Sequence, residues 1–250
     1  MRVPRRLVLE PYSYFHMMWR AHNRERIMSS HAEKLRYLRA LRDDYLKNCS
    51  PEQFELHGYT MMSNHGHING SVKEDHVPLS DHMRRAHSRF GLEYNKRHGR
   101  IGKVAHDRPK IKASRQDADA IRIMLYDHFN PVRAGLTKDP TDIRWKQLST
   151  ARWMAYGEEN EFTCVFTLPP WYRKLGSTAK KRQRAYRKML DEWALEKGYK
   201  RDPKLARGNF VGGDLWVAAM RRKVSQWFKE RKKKNPSEAG PDPPVEAQGG

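Results

Sequence analysis

Residues 54 to 72 read FELHGYTMMSNHGHINGSV. Two β-type runs stand here, FELHGYTMM and HGHINGSV, with only Ser63 and Asn64 between them. So short a connection leaves the two strands no choice but to pair as an antiparallel hairpin, because a parallel pair needs a crossover of roughly a dozen residues or more. The rest of the chain must be arranged around this hairpin. Residues 12 to 20, YSYFHMMWR, are aromatic-rich and read as a strand. Residues 29 to 47 place Leu35, Leu38, Leu41, Tyr45 and Leu46 near helical spacing. Arg36, Arg39, Arg42 and Asp43 fill the polar side, and Ser29 or Ser30 supplies the N-cap. After the hairpin, PLSDHMRRAHSRFGLEYNKRHG predicts a helix capped by Ser80 and stopped near Gly99. KVAHDRPKIKAS, 103 to 114, gives a loop and a fourth strand. RQDADAIRIMLYDHFNP predicts a third helix that ends at Asn130, since Pro131 disfavours helix at the residue before it. The order β-α-β-β-α-β-α predicts an α+β fold of the ferredoxin-like, split βαβ kind. Such a fold is an antiparallel sheet with helices on one face, leaving the other face free for a site.

Beyond about residue 150 the texture changes. TAKKRQRAYRKMLDEWALEKG and GGDLWVAAMRRKVSQWFKERKKK read as strongly basic helices. Tyr186, Leu190, Trp193 and Ala194 form the apolar side of the first. Leu215, Val217, Met220, Val224 and Trp227 or Phe228 form that of the second. The expected division is a domain over 1–150, a basic helical extension over 151–235 and a Pro/Gly/Glu-rich disordered tail over 236–250. No internal repeat of solenoid or propeller spacing is visible.

The charge balance narrows the partners. Fifty Lys and Arg face 29 Asp and Glu, a formal net charge of +21. An excess of one sign this large favours a polyanion, with nucleic acid ahead of an anionic membrane surface. Two cysteines exclude a disulfide scaffold or a cysteine-rich zinc module and suit a reducing compartment. No apolar run approaches a membrane span of roughly 18 residues, and the N-terminal apolar run is too short for a signal peptide, so a cytoplasmic protein is expected.

The chemistry concentrates in two places. In a strand, residues two apart share a face. His65 and His67 therefore project together, with Asn69 following, while Gly66, Ile68, Gly70 and Val72 take the other face. Two neutral imidazoles side by side form half of a divalent-metal site, although H-x-H alone also describes two surface histidines. In the third helix Tyr126 and Asn130 are four apart, on one helical face. A tyrosine hydroxyl can attack a phosphate and hold it covalently, and a metal that polarises the phosphate helps such an attack. The Asn130 carbonyl could complete a metal site begun by the imidazoles. Without further context Tyr126 reads as an ordinary core or interface tyrosine.

Taken together, YFHMMWRAHNRERIM, FELHGYTMMSNHGHING, YNKRHGRIGKV and LYDHFNPVRAGL resemble the single-tyrosine HUH transposases, and among them the REP-associated tyrosine transposases. The resemblance spans roughly residues 12 to 150. It implies that His65 and His67 are the metal-binding pair, that Tyr126 is the nucleophile and that Asn130 is the third ligand, with Mg²⁺ or Mn²⁺ as the ion. It also implies cleavage and rejoining of single-stranded DNA beside a palindromic hairpin, a 5′-phosphotyrosine and a free 3′-hydroxyl. The setting it implies is cytoplasmic, at the bacterial nucleoid, with a monomer or homodimer at work. The chain departs from the family pattern at Ser63, where proline is usual, and at Gly66, where an apolar residue is usual. AHDRPKIKAS matches the family's Q-x-R-F-K only loosely. Arg20, Arg24, Arg108, Lys110, Lys112 and Arg122 are candidates for phosphate contacts. The basic extension, anchored by Trp193, Trp216 and Trp227, is expected to hold the duplex stem. The alternative is a protein of this fold that binds hairpin DNA or RNA without cutting it. A phosphodiesterase that uses water in place of tyrosine is a third reading.

Overall fold

The computed structural model describes residues 3–197, 200, 202–206 and 208–234. The tail expected to be disordered, 236–250, lies outside the described residues. Four strands, β1 (Tyr14–Arg20), β2 (Phe54–Met61), β3 (His65–Val72) and β4 (Lys110–Ser114), form one antiparallel sheet in the order β2-β3-β1-β4. Three helices alternate with them: α1 (His31–Asn48), α2 (Val77–Arg97) and α3 (Asp117–His128). The predicted order β-α-β-β-α-β-α is the observed one, and the fold is α+β.

Local chemistry accounts for the element ends. Ser30 caps α1 by accepting from the Glu33 amide at 3.1 Å. α2 begins three residues before the expected Ser80 cap. Pro78 fits its first turn, where no amide is needed, and the Asp75 carboxylate accepts from the Val77 amide at 3.0 Å. Ser80 instead lies inside the helix and its hydroxyl donates to the His76 carbonyl at 3.0 Å. Gly99, at φ +58°, takes the left-handed turn that stops the helix. α3 ends at His128, and a single further turn, α4 (Asn130–Arg133), follows with Pro131 in its first turn.

Strand alternation sorts the sheet into two unlike faces. Phe15, Met17 and Trp19 of β1, with Ile68 and Val72 of β3, are buried beneath α1 and α2. The Trp19 ring lies 4.6 Å from Tyr37 of α1 and 6.2 Å from Phe90 of α2. Gly66 is opposite Trp19 in the β1–β3 register, and a Cβ there would stand 2.8 Å from the indole nitrogen. Trp19 thus fills the space that an apolar residue between the two histidines would need. The other face is polar and carries His16, Met18 and Arg20 opposite Asn69, His67 and His65.

One refinement concerns the helices. α1 and α2 share the apolar face, but α3 lies across the polar one, where Asn69 donates to the Asp127 carboxylate at 2.8 Å. The reason is composition. α3 carries a second apolar side, and the residues after it bury that side. Met124, Leu125 and Phe129 pack with Met154 of α5 (Ala151–Tyr156), Trp171 of α6 (Pro170–Arg173) and Tyr186, Leu190 and Trp193 of α7 (Ala179–Glu196). Ala194, expected on that apolar side, is exposed. A short turn, α8 (Pro203–Ala206), leads to α9 (Asp214–Lys234), which lays Met220 and, partly buried, Trp216, Val217 and Val224 on the main core. Leu215 points away at 88 % exposure.

Both sheet edges are closed by these later residues. On β2, Met61 donates its amide to the Leu148 carbonyl at 2.8 Å and Thr167 donates to Leu56 at 2.7 Å. On β4, the Ala113 amide donates to Asn209 at 2.8 Å and the Val211 amide donates to Ala113 at 2.9 Å. Among the described residues no helix is long and apolar enough to cross a membrane.

Candidate active site

The polar face that α3 leaves uncovered becomes the floor of a cleft of about 860 Å³. His16, Arg20, His65 and His67 rise from the two central strands, and Lys110 and Lys112 from β4. Tyr126 and Asn130 enter from the end of α3 and the start of α4. Arg24 and Arg108 stand at the loops on either side. Of the ten residues expected at a site, nine therefore line one cavity. Arg122 does not: one turn before Tyr126 on α3, it holds Asp202 through two guanidinium nitrogens, its Nε at 3.0 Å.

Each imidazole of the H-x-H pair is anchored through Nδ1. The His65 Nδ1–H donates to the Asn64 side-chain carbonyl at 2.7 Å, and the Asn64 amide donates to the Arg24 carbonyl at 3.2 Å. His67 Nδ1 lies 3.0 Å from Asp127 Oδ1 and 2.9 Å from His16 Nε2. The far nitrogens are left bare. His67 Nε2 is buried with no hydrogen-bond partner, and His65 Nε2 makes no hydrogen bond among the described residues. The two rings sit edge to face with centroids 5.0 Å apart. Burial, and then the neighbouring His67 and Arg20, hold the pKa of His65 down to about 3. Burial likewise lowers that of His67. Burial opposes ionisation of Asp127, but His16 and His67 beside it keep its pKa well below the usual carboxylate range. His65 and His67 are thus neutral and Asp127 charged at neutral pH.

Neutral imidazoles with bare Nε2 atoms facing one cleft are the form in which histidine binds a metal, and a buried nitrogen without a partner is otherwise a cost to the fold. The residues fit a divalent ion. Asn130 is placed beside them, but its carbonyl already accepts from Arg133 Nη2 at 2.7 Å, so only its second lone pair is open to a ligand role.

Tyr126 is half-buried, and Arg133 fixes its ring. The guanidinium carbon lies 3.7 Å above the ring centroid, and Nη2 also donates to the Tyr126 backbone carbonyl at 2.6 Å. Burial lowers the pKa of Arg133, and the aromatic face beneath it favours the cation. On the opposite wall Lys112 donates to the Gly208 carbonyl at 2.9 Å, and burial brings its pKa down to about 8.

No family model matches the chain. No curated protein matches it. A solved structure is similar. It is a REP-associated tyrosine transposase bound to a REP hairpin, at 20% identity and a TM-score of 0.48, over 65% of this chain and 94% of that one.

Sequence reasoning missed three residues of the site: His16, which lines the cleft, and Asp127 and Arg133, which stand against His67 and the Tyr126 ring. For His16 a signal was present. It stands on the same face of β1 as Arg20, and the antiparallel pairing brings that face beside His67. Asp127 carried no such signal, since a charged residue next to Tyr126 on a helix reads as solvent-facing. The wall formed by Leu205, Gly208 and Asn209 comes from the C-terminal stretch and depends on its return to β4.

Proposed function

We propose that this chain is a metal-dependent, single-strand DNA endonuclease and strand transferase, with Tyr126 as its nucleophile. The observation that carries the reading is the convergence of Tyr126, two bare imidazole nitrogens and a wall of cations on one cleft. The resemblance of residues 12 to 150 to REP-associated tyrosine transposases supports it, and names a palindromic hairpin with a single-stranded flank as substrate.

A divalent ion held by His65 and His67, with Asn130 as supporting ligand, would polarise the scissile phosphate. The chain's own groups do the rest. Arg20, Arg24, Lys110 and Lys112 draw an unpaired phosphodiester backbone into the cleft, which suits single strands better than a stiff duplex. Arg133 holds the tyrosine ring so that its hydroxyl faces that backbone. The Tyr126 oxygen attacks phosphorus as its proton is released. The bond to the 3′ oxygen breaks, and the leaving oxygen takes up a proton as a free 3′-hydroxyl. The 5′-phosphate stays on Tyr126, so the bond energy is kept and attack by a 3′-hydroxyl reverses the step and rejoins the strand.

The test uses the full chain, Mn²⁺ and a labelled oligonucleotide with a hairpin and a single-stranded flank. A covalent protein–DNA adduct should survive denaturing electrophoresis, and Tyr126→Phe should abolish it while hairpin affinity is retained. An adduct that persists in the Phe variant rules out Tyr126. Cleavage with no adduct in the parent chain assigns the chemistry to water. Binding without cleavage assigns the protein to the non-cutting class.

A further inference from the structure

The cleft that holds Tyr126 does not end at β4. Arg5, Asp107, Arg108 and Pro109 line it, and the same four residues line a second groove of about 600 Å³. Past this junction the walls of the groove include Arg6 from an N-terminal turn and Arg84 from α2.

Local structure brings two guanidinium groups to the junction. The single turn Arg5–Leu7 is closed by the Val8 and Leu9 amides, which donate to the Arg5 carbonyl at 2.9 and 2.8 Å. Burial of Leu7, Val8 and Leu9 seats it on the protein. Arg6 lies over the Trp227 ring of α9, 5.7 Å from its centroid, whereas Arg5 lines the junction. Arg108 Nη2 donates to the Val3 carbonyl at 2.6 Å, which ties the loop before β4 to the same N-terminal segment and brings Arg108 beside Arg5. Burial, and then Arg108, bring the pKa of Arg5 down to about 10. The Arg5 Nε is buried with no hydrogen-bond partner. The nearby carboxylates do not offset this pair. Arg84 holds Asp81 at 3.4 Å, and neither Asp81 nor Asp107 pulls the Arg5 pKa upward.

Two like charges side by side, one with a buried donor unsatisfied, are a cost to the fold that an anion between them would relieve. The guanidinium fork matches phosphate oxygens in particular. The groove opens directly from the cleft proposed to take an unpaired strand, and its size suits more of that strand better than a stiff duplex. We propose that Arg5 and Arg108 form a phosphate clamp at the junction, through which the single-stranded flank of the substrate leaves the cleft and enters the groove beside α2. This rests on the DNA reading above and adds to it a binding subsite beyond the cleft.

The test uses the full chain and hairpin oligonucleotides whose flank is lengthened stepwise on the 5′ or the 3′ side, with affinity read by fluorescence anisotropy. In the parent chain, affinity should rise as one flank grows past the cleft and then level off. Arg5→Gln should match the parent on the shortest flank, which also shows that it folds, and should bind the longest about tenfold more weakly. Its log–log salt slope on the longest flank should be shallower by about 0.7 for each phosphate given up. A parent chain that gains nothing from a longer flank overturns the proposal, whether or not the variant folds. So does an Arg5→Gln variant that keeps the whole gain. A gain that comes from lengthening the stem instead of the flank assigns the groove to duplex and overturns it as well. A flank-dependent gain that needs Arg5, in a chain that forms no adduct with DNA, refutes the cleavage reading and leaves the clamp standing.

Discussion

At the scale of single residues, the tightest constraint is steric. A Cβ on Gly70 would overlap the Glu55 carbonyl oxygen and the Phe15 ring, both of which are fixed by the sheet. Gly70→Ala should therefore cost about 1–3 kcal/mol or more by overpacking, measured as a fall in the urea midpoint at unchanged slope. The H-x-H pair was legible in the sequence because strand periodicity is local: His65 and His67 share a face whatever surrounds them. His16 and Asp127 were not, because their place beside His67 comes from strand register and helix docking between residues far apart in the chain. Arg122 shows the converse. Its charge and its helix suggested a phosphate contact, but one turn before Tyr126 on α3 it meets Asp202 and pairs with that carboxylate instead.

At the scale of elements, the order of strands and helices was legible because each apolar run has a clear period. The role of α7 was less so. Its basic surface hides Tyr186, Leu190 and Trp193, which cover α3 directly behind Tyr126. Cutting the chain near residue 160 would strip that cover, so a DNA role for the basic helices is better tested by point changes. α9 keeps its apolar side on the core and leaves Arg221, Arg222 and Lys229 exposed. With all three changed to Gln, hairpin affinity should fall, and the log–log salt slope should become shallower by roughly one unit for each phosphate that is no longer neutralised. An unchanged slope in a folded variant assigns α9 to another partner.

At the scale of the whole molecule, buried neutral histidines tie folding to pH. His57 bridges the Thr167 carbonyl and the Ser71 hydroxyl, and His128 bridges Tyr186 and Thr150. Burial holds both pKa values down to about 4, from 6.5. The folded state thus binds fewer protons than the unfolded state between these values. Their contribution to stability is complete above pH 6.5 and is lost as pH falls toward 4. The Tm of the metal-free protein should drop steadily between pH 7 and pH 5. A Tm that is flat over that interval contradicts the assignment.

The closure of the β4 edge by residues 209–211 has a temporal side. During synthesis β4 leaves the ribosome about a hundred residues ahead of the segment that seals it, an interval on the order of ten seconds at common translation rates. Over that interval the cleft lacks the wall that Leu205, Gly208 and Asn209 supply. A nascent chain therefore carries His65, His67 and Tyr126 before it carries a finished groove.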